Sequence, residues 1–481
     1  MPSQAGLESE ASSSSPSLSL RLLVGYGVGD FAHSLAFTTN ALFLMFFATE
    51  VLHYSPAVVG TSLLCCKMLD AITDPLMGEL SDRTQHPMGR KRPYLLWGAV
   101  PLGVSFFLLY AMPRMEGLVG QFVVMSVVSS FHFLCYTVCN IPYTSMTADL
   151  SDDPQVRTQL TGVRYVFSIL ASILSAVGTM LFVKGLSPGG VRGKANLAVG
   201  FQWTAAFFAV LMVVALWLTV WGTTERHRVV ERKPFSWRQW LRDYLRVFRN
   251  APFRRLAIMY MFHTVAMTLL GTVILYFLKY NLRMPSEEDS SLVLGGMTIV
   301  ALLCLYPWYK VSERWGKRNS YAVGSLWLAV AMVPLWWLQP GYKVYLLVQV
   351  VLIGIGFSSF NLFPNAMLPD VIEVEEAETG ERREGAYYGM WVFLEKVARG
   401  FALFLSGWAL QWAGFVSSNK GSGSQPSAVL VTIVWLLVWV PIVFLLLGNL
   451  FLYRYSLTPE VHKELREKIK RQASVGVGSS G

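Results

Sequence analysis

The sequence predicts an all-α membrane protein with twelve transmembrane helices in two six-helix bundles. Three observations predict it. The chain is 53% hydrophobic and only 15% charged over 481 residues, too apolar for an ordinary soluble fold. It divides into twelve apolar runs of bilayer-crossing length. Its positive charge collects in alternate loops between them.

The runs are 22–49, 57–80, 94–112, 119–149, 160–184, 198–222, 255–281, 291–311, 320–338, 343–368, 386–414 and 428–453. Twelve is even, so both termini lie on one side. One set of loops carries Arg83, Arg90, Lys91, Arg92, Arg157, the basic stretch from Arg226 to Arg255, Lys310, Arg314, Lys317, Arg318, Arg382 and Arg383. The other set has few cations, such as Arg114, Lys184 and Lys343. The basic set marks the cytoplasmic side of a plasma (inner) membrane, with both termini there. A net charge of +10 gathered in such loops speaks against nucleic acid as a partner.

The longest polar connection divides the chain six spans and six. The expected units are a disordered cytoplasmic tail (1–20), an N-terminal bundle (21–222), a linker (223–254), a C-terminal bundle (255–455) and a cytoplasmic helix and tail (456–481). In the linker Trp237, Trp240, Leu241, Tyr244, Leu245 and Phe248 follow helical spacing among arginines, an amphipathic helix on the inner leaflet. Thr458-Pro459-Glu460 caps a short surface helix through Val461, Leu465 and Ile469. The N-terminal stretch has no basic and apolar signal-peptide pattern. A monomer is expected.

Function is concentrated in Lys67-Met-Leu-Asp70-Ala-Ile-Thr-Asp74-Pro75, inside the second run. At about 100° per residue Lys67, Asp70 and Asp74 share one helix face. Intramembrane charge is costly unless paired or facing a wet cavity, so a cation and two carboxylates read as a site. The cations left in the interior of spans are Lys67, Arg164, Lys396 and Arg399. Two carboxylates one turn apart repel, and a proton or hard cation relieves them. Lys67 and Lys396 are expected to neutralise the empty site until an incoming cation displaces a lysine. Arg164 offers a bidentate fork, or pairs with Asp30 or Asp149. Lys396 and Arg399 have Glu395 and Asp370 as alternative partners.

His33, His132 and His263 are expected to hydrogen-bond between helices rather than relay protons. Gly25, Gly29, Gly354 and Gly356 are expected close-packing points, and Asn361, Pro364, Asn365 and Pro369 a kink in span ten. The acidic run Glu373 to Glu378 reads as a solvated loop. The five cysteines, all in apolar runs, read as buried small hydrophobes. There is no nucleotide-binding loop, Ser-His-Asp set or zinc pattern, so neither an enzyme nor a cofactor is expected.

The halves echo each other. Gly78-Glu-Leu-Ser-Asp82-Arg83 followed by Gly89-Arg90-Lys91-Arg92 matches Ser312-Glu313-Arg314-Trp315-Gly316-Lys317-Arg318. Asp82-Arg83 and Glu313-Arg314 are the expected cytoplasmic gate, bridging the bundles in an outward-facing state. With these loops the chain resembles the major facilitator superfamily. Asp70-Ala-Ile-Thr-Asp74-Pro75, Asn140-Ile-Pro142-Tyr143 and Met367-Leu-Pro-Asp370 with Arg383-Glu384-Gly385 resemble its glycoside-pentoside-hexuronide:cation symporter branch, typified by the melibiose carrier.

That resemblance implies cation-coupled symport of a sugar or glycoside by alternating access, driven by Na⁺ or H⁺. It implies that Asp70 and Asp74 hold the cation, with Thr137 contributing beside Tyr136 and Thr73 a further cation-site candidate. It implies that Asp30 accepts sugar hydroxyls and that Arg164 and Lys396 line the same cavity. Three positions depart from the branch: a second sugar carboxylate falls at Asn140, a stacking aromatic at Thr144, and the residue before the second cation carboxylate is Thr73. The first two leave a lysolipid or other amphiphile open as cargo, since the vertebrate lysolipid carriers resemble this branch too. A non-transporting sensor or scaffold is the third alternative.

Overall fold

The structure, a computed structural model, describes residues 20–151, 154–187, 196–225, 242, 245–284, 287–379, 384–416, 425–455 and 457. The predicted tails, most of the linker helix and Arg382 and Arg383 lie outside the described residues.

Twelve helical spans are present among the described residues. They are α1 (20–51), α2 (Pro56–Arg83), α3 (Arg92–Tyr110), α4 (Leu118–Ser145), α5 (154–186), α6 (Leu197–Gly222), α7 (Ala251–Asn281), α8 (287–315), α9 (317–337), α10 (Lys343–Thr379), α11 (Glu384–Trp412) and α12 (Ser427–Tyr453). By length and composition alone, nine helices among the described residues qualify as membrane-crossing, and one of these, Asp289–Trp337, contains two of the predicted runs. The break between α8 and α9 is Gly316, whose φ of 73° only glycine adopts readily. α10 is continuous through Pro364 and Pro369. The acidic run belongs to its last turns, with Glu375 buried, so it is not the solvated loop expected from its composition.

α1–α6 pack together, as do α7–α12. Within the first bundle α1 and α5 run parallel at a constant register: Asp30 meets Arg164, Ser34 meets Ser168 and Thr38 meets Ser172, each pair 134 residues apart. Polar residues every fourth position put one hydrogen-bonding stripe on each helix, which is how helices associate where lipid offers no hydrophobic drive. The expected glycines are close-packing points. Gly25 lies against the Gly222 backbone, Gly29 against Tyr143, Gly354 against Val300 and Gly356 against Leu328. His132 bonds Asn40 and Ser105 on other helices, and His263 bonds Tyr321 and the Leu445 carbonyl. His33 instead bonds the Gly29 carbonyl of its own helix. Cys66, Cys135 and Cys139 are buried, but Cys65 is exposed and Cys304 half-buried, because their helix faces lie at the bundle surface.

The twofold repeat of a six-helix unit is written into the backbone. α1 and α7 both finish in a π-helical turn, Phe47–Val51 and Phe277–Asn281. Both then exit through a non-glycine residue with positive φ, His53 at 64° and Arg283 at 50°. At the opposite end Lys91 Nζ lies 2.9 Å from Asp149 and donates to the carbonyl of Ser145, four residues earlier. Lys317 Nζ repeats this with Asp370 at 2.7 Å and the carbonyl of Ala366. Duplicated polar contacts of this kind are what two parallel copies of one bundle produce.

The bundles meet along α2 with α11, α5 with α8 and α1 with α7. The α2–α11 seam is glycine-lined. A Cβ on Gly60 would fall 2.6 Å from the Leu403 carbonyl oxygen, and one on Gly407 3.1 Å from the Gly60 Cα. Away from the basic loops the α2–α11 seam is tied by Ser55 to Gln411 (2.7 Å) and Trp408 to Thr61 (3.1 Å), and α1 is tied to α7 by Thr49 and Tyr276 (2.5 Å).

Candidate functional site

The α2–α11 seam sets the site. Its close backbone approach brings Lys396, on the face of α11 that also bears Gly400 and Gly407, to the charged face of α2. Lys396 Nζ lies 2.5 Å from Asp74 Oδ2 and 2.9 Å from Asp70 Oδ2. Thr137, on α4, has its hydroxyl 2.8 Å from both Asp70 Oδ1 and Asp74 Oδ1. One hydroxyl proton serves one carboxylate at a time, so the second oxygen stays available to a cation or proton. Lys67 Nζ stands 3.5 Å from Asp70 and 3.6 Å from the centre of the Phe133 ring. Asp70 is 3% exposed. Two carboxylates, two ammonium groups and a hydroxyl therefore form one buried cluster drawn from both bundles. Its net charge is near zero, which is the condition for burying it at all.

Thr73 is not part of the cluster. Its hydroxyl donates to the Asp70 carbonyl three residues back, a local bond open to any threonine inside a helix. Arg399 pairs with Glu395 on its own helix, at 2.9 and 2.7 Å, and its guanidinium lies 4.9 Å from the Phe37 ring of α1. Glu395 and Arg399 are thus partners, whereas Lys396, one residue on from Glu395, faces α2. Asp370 is taken by Lys317.

A second group lies between α1, α4 and α5. Arg164 donates to Asp30 Oδ1 at 3.3 Å and reaches the Tyr26 hydroxyl at 3.4 Å. Its guanidinium is 4.9 Å from the Tyr143 ring centre. His33 stacks on Tyr143 at 5.0 Å and meets Tyr136 edge-on at 5.6 Å. A continuous aromatic floor thus joins the Asp30–Arg164 pair to Tyr136, the neighbour of Thr137. Asn140, one turn beyond Tyr136, is half-buried. The Thr144 hydroxyl is turned to the Ile141 carbonyl.

Beyond Tyr136 lies a cavity of about 60 Å³ bounded by both bundles, with Lys67 and Arg399 in its wall. At the ends of α1 and α7 the bundles are joined by a contact that sequence reasoning missed. Glu50, 5% exposed at the end of α1, accepts a hydrogen bond from Tyr280 at 2.6 Å and an ion-pair contact from Lys279, both at the end of α7. Lys279 lies inside the seventh apolar run, and Glu50 follows the first run by one residue. Their equivalent places, at the ends of the first and seventh spans, were the signal.

Among the described contacts, the expected cytoplasmic gate residues meet partners in their own bundles. Arg83 meets Glu79 at 2.5 Å, Asp82 lies 3.8 Å from Lys91, and Glu313 is 3.0 Å from Lys310, while Arg314 is exposed. Asp149, once a candidate partner of Arg164, is held by Arg90 and Lys91.

Residues 25–459 match the model of the MFS/sugar transport protein family. The inner membrane symporter YicJ of Escherichia coli is 30% identical, over 94% of this chain and 95% of its own. The isoprimeverose transporter of Lactiplantibacillus pentosus is 30% identical, over 92% and 90%. The sodium-dependent lysophosphatidylcholine symporter 1-A of Danio rerio is 22% identical, over 91% and 86%. Among solved structures, a bacterial homologue of the lysosomal transporter Spinster superposes with a TM-score of 0.65, at 12% identity, covering 93% of this chain and 97% of its own.

Proposed function

The chain belongs to the MFS/sugar transport protein family, and from that membership we propose that it carries a sugar or glycoside together with Na⁺ or H⁺. It is a multi-pass membrane transporter rather than an enzyme, as its relatives are. The observation that carries the coupled reading is Lys396 lying across Asp70 and Asp74. A lysine from one bundle occupies the place a coupling cation would take on the other. A cation, or protonation of the pair, releases the lysine and with it a contact that holds the bundles together. Cation binding is thereby linked to the movement of one bundle against the other.

The ties at the Glu50 end support a state open toward the basic loops. By the positive-inside rule that is the cytoplasm, with both termini there and residues 21–222 and 255–455 as the moving units. Asp30 and Arg164 are the sugar contacts, with Tyr136 and Asn140 beside them. An Asp–Arg pair presents acceptors and forked donors, the complement of vicinal hydroxyls.

The test is uptake into proteoliposomes of a panel of pentosides, hexosides and disaccharides under an imposed Na⁺ or pH gradient. Gradient-dependent accumulation of at least one supports the reading; none, under either gradient, overturns it. A second reading, transport of a lysolipid, is favoured by the uncharged Asn140 and the inward-turned Thr144, and by the lysophosphatidylcholine carrier among the relatives. There Arg164 would take the phosphate. Lysophosphatidylcholine in the same panel separates the two.

A further inference from the structure

Two cations face the small cavity beyond Tyr136, and among the described residues that line it there is no carboxylate. The cations are Lys67 from α2 and Arg399 from α11. The close seam between those helices brings them together: a Cβ on Gly400, the residue after Arg399, would fall 3.2 Å from the Lys67 Cβ. Like charges so placed disfavour one another, and Lys67 also feels Lys396. Neither cation is fully committed to its acid. Lys67 Nζ stands 3.5 Å from Asp70, which Lys396 holds more closely at 2.9 Å. Arg399 gives Nε and Nη2 to Glu395 and keeps Nη1. The Tyr136 hydroxyl, in the same wall, has no hydrogen-bond partner among the described residues.

Three donors from three helices and both bundles thus converge where the acceptors are few. Asn40 Oδ1 already accepts from the Tyr110 hydroxyl at 3.1 Å, and Thr268 gives its proton to the Thr264 carbonyl. The complement of such a wall is a group that only accepts, and a carboxylate is that group. We propose that Lys67, Tyr136 and Arg399 form a subsite for a carboxylate of the cargo, which makes the cargo class an acidic sugar or its glycoside. This inference rests on the sugar reading and narrows it. Tyr136 links the subsite to both neighbouring sites, because it interacts electrostatically with Asp30, Asp70, Asp74 and Glu395. Charge gives the coupling a reason. Lys67, Lys396, Asp70 and Asp74 sum to about zero while the carrier is empty, and a coupling cation adds one positive charge and loosens Lys67 from Asp70. A cargo carboxylate beside Lys67 restores neutrality, so each ligand tightens the other.

The experiment compares binding of glucose with glucuronate, and of galactose with galacturonate, as free sugars and as methyl glycosides. The purified full-length protein is used in Na⁺ and at mildly acidic pH, so that either coupling cation is supplied. The acidic member of a pair is expected to bind about tenfold tighter or more, the equivalent of one charge-assisted hydrogen bond. Arg399→Gln made together with Glu395→Gln removes the cation without stranding its acid, and should bring that ratio toward one. Tyr136→Phe, which removes only a hydroxyl, should lower the ratio too and keeps the test decisive if the double variant fails to fold. Equal affinities in the wild type, or a ratio unchanged in either folded variant, overturn the subsite and leave the sugar reading standing. Failure of every neutral and acidic sugar overturns both, as does lysophosphatidylcholine binding without any sugar binding.

Discussion

Lys396 donates to Asp74 across the interface between the bundles, at 2.5 Å, and the same ammonium lies 2.9 Å from Asp70. Both carboxylates sit on α2 and the lysine on α11, so the pair exists only while the two helices are in this register. Breaking one partner of a buried pair leaves a charge uncompensated, at a cost of about 3–5 kcal/mol. On the proposed coupling, that cost falls on the empty carrier and vanishes when a cation takes the lysine's place.

Lys396→Met should therefore leave the loaded cycle working and impair the empty one. We expect exchange of internal for external substrate to stay within about threefold of wild type. Net uptake should fall about tenfold or more, because the empty carrier no longer returns with a neutral site; tenfold corresponds to about 1.4 kcal/mol. Asp70→Asn and Asp74→Asn should insert normally and lose concentrative uptake altogether. Unchanged accumulation in both asparagine variants would remove the cation site from α2.

Glu50→Gln tests the far seal. A hydrogen bond to a charged group is worth about 1.5–3 kcal/mol, and this one joins the two bundles at that end. Its loss should shift the two-state balance toward the open end by about tenfold to a hundredfold. An impermeant maleimide added outside cells should then modify an Ala41→Cys reporter faster in Glu50→Gln than in its parent. Equal labelling rates would show that the contact does not govern access.

Orientation has its own test. Glu116 lies exposed between α3 and α4, and Gln85 lies exposed between α2 and α3, beside Arg83 and Arg90. Cysteine at Glu116 should label in intact cells. Cysteine at Gln85 should label only after permeabilisation, as the Lys and Arg asymmetry requires. The opposite pattern would invert the proposed topology.

The cargo contacts separate by substitution. For a sugar, Asp30→Ala removes the acceptor and leaves Arg164 unpaired, weakening binding by about tenfold to a hundredfold, the equivalent of one charged hydrogen bond. For a lysolipid, Arg164→Ala should abolish transport while Asp30→Ala is mild. Binding of both cargo classes to both variants, followed by calorimetry, decides it. Sugar binding indifferent to Asp30→Ala would take the sugar away from this pair.

Sequence alone determined the parts of this protein that hydrocarbon imposes. A bilayer admits only helices or closed barrels, whose backbones are satisfied internally, and apolar runs of about twenty residues select the helix, so composition and run length pointed to twelve spans divided six and six. It also singled out Lys67, Asp70, Asp74 and Lys396, because intramembrane charge is too costly to be incidental. Helical periodicity put the α2 charges on one face, but it carries no information about a helix more than 300 residues away. That Lys396 rather than Arg399 meets α2 was decided by the rotation of α11, which packs Gly400 and Gly407 against α2 and turns Arg399 to Glu395 and Phe37. Thr73 left the cluster because its hydroxyl found a nearer carbonyl, a choice of rotamer invisible to spacing. The Glu50–Lys279 closure escaped because each residue stands at the end of an apolar run, where a charge ordinarily faces water. Only the juxtaposition of the two repeats, ending α1 and α7 side by side, buried the carboxylate and gave it a partner.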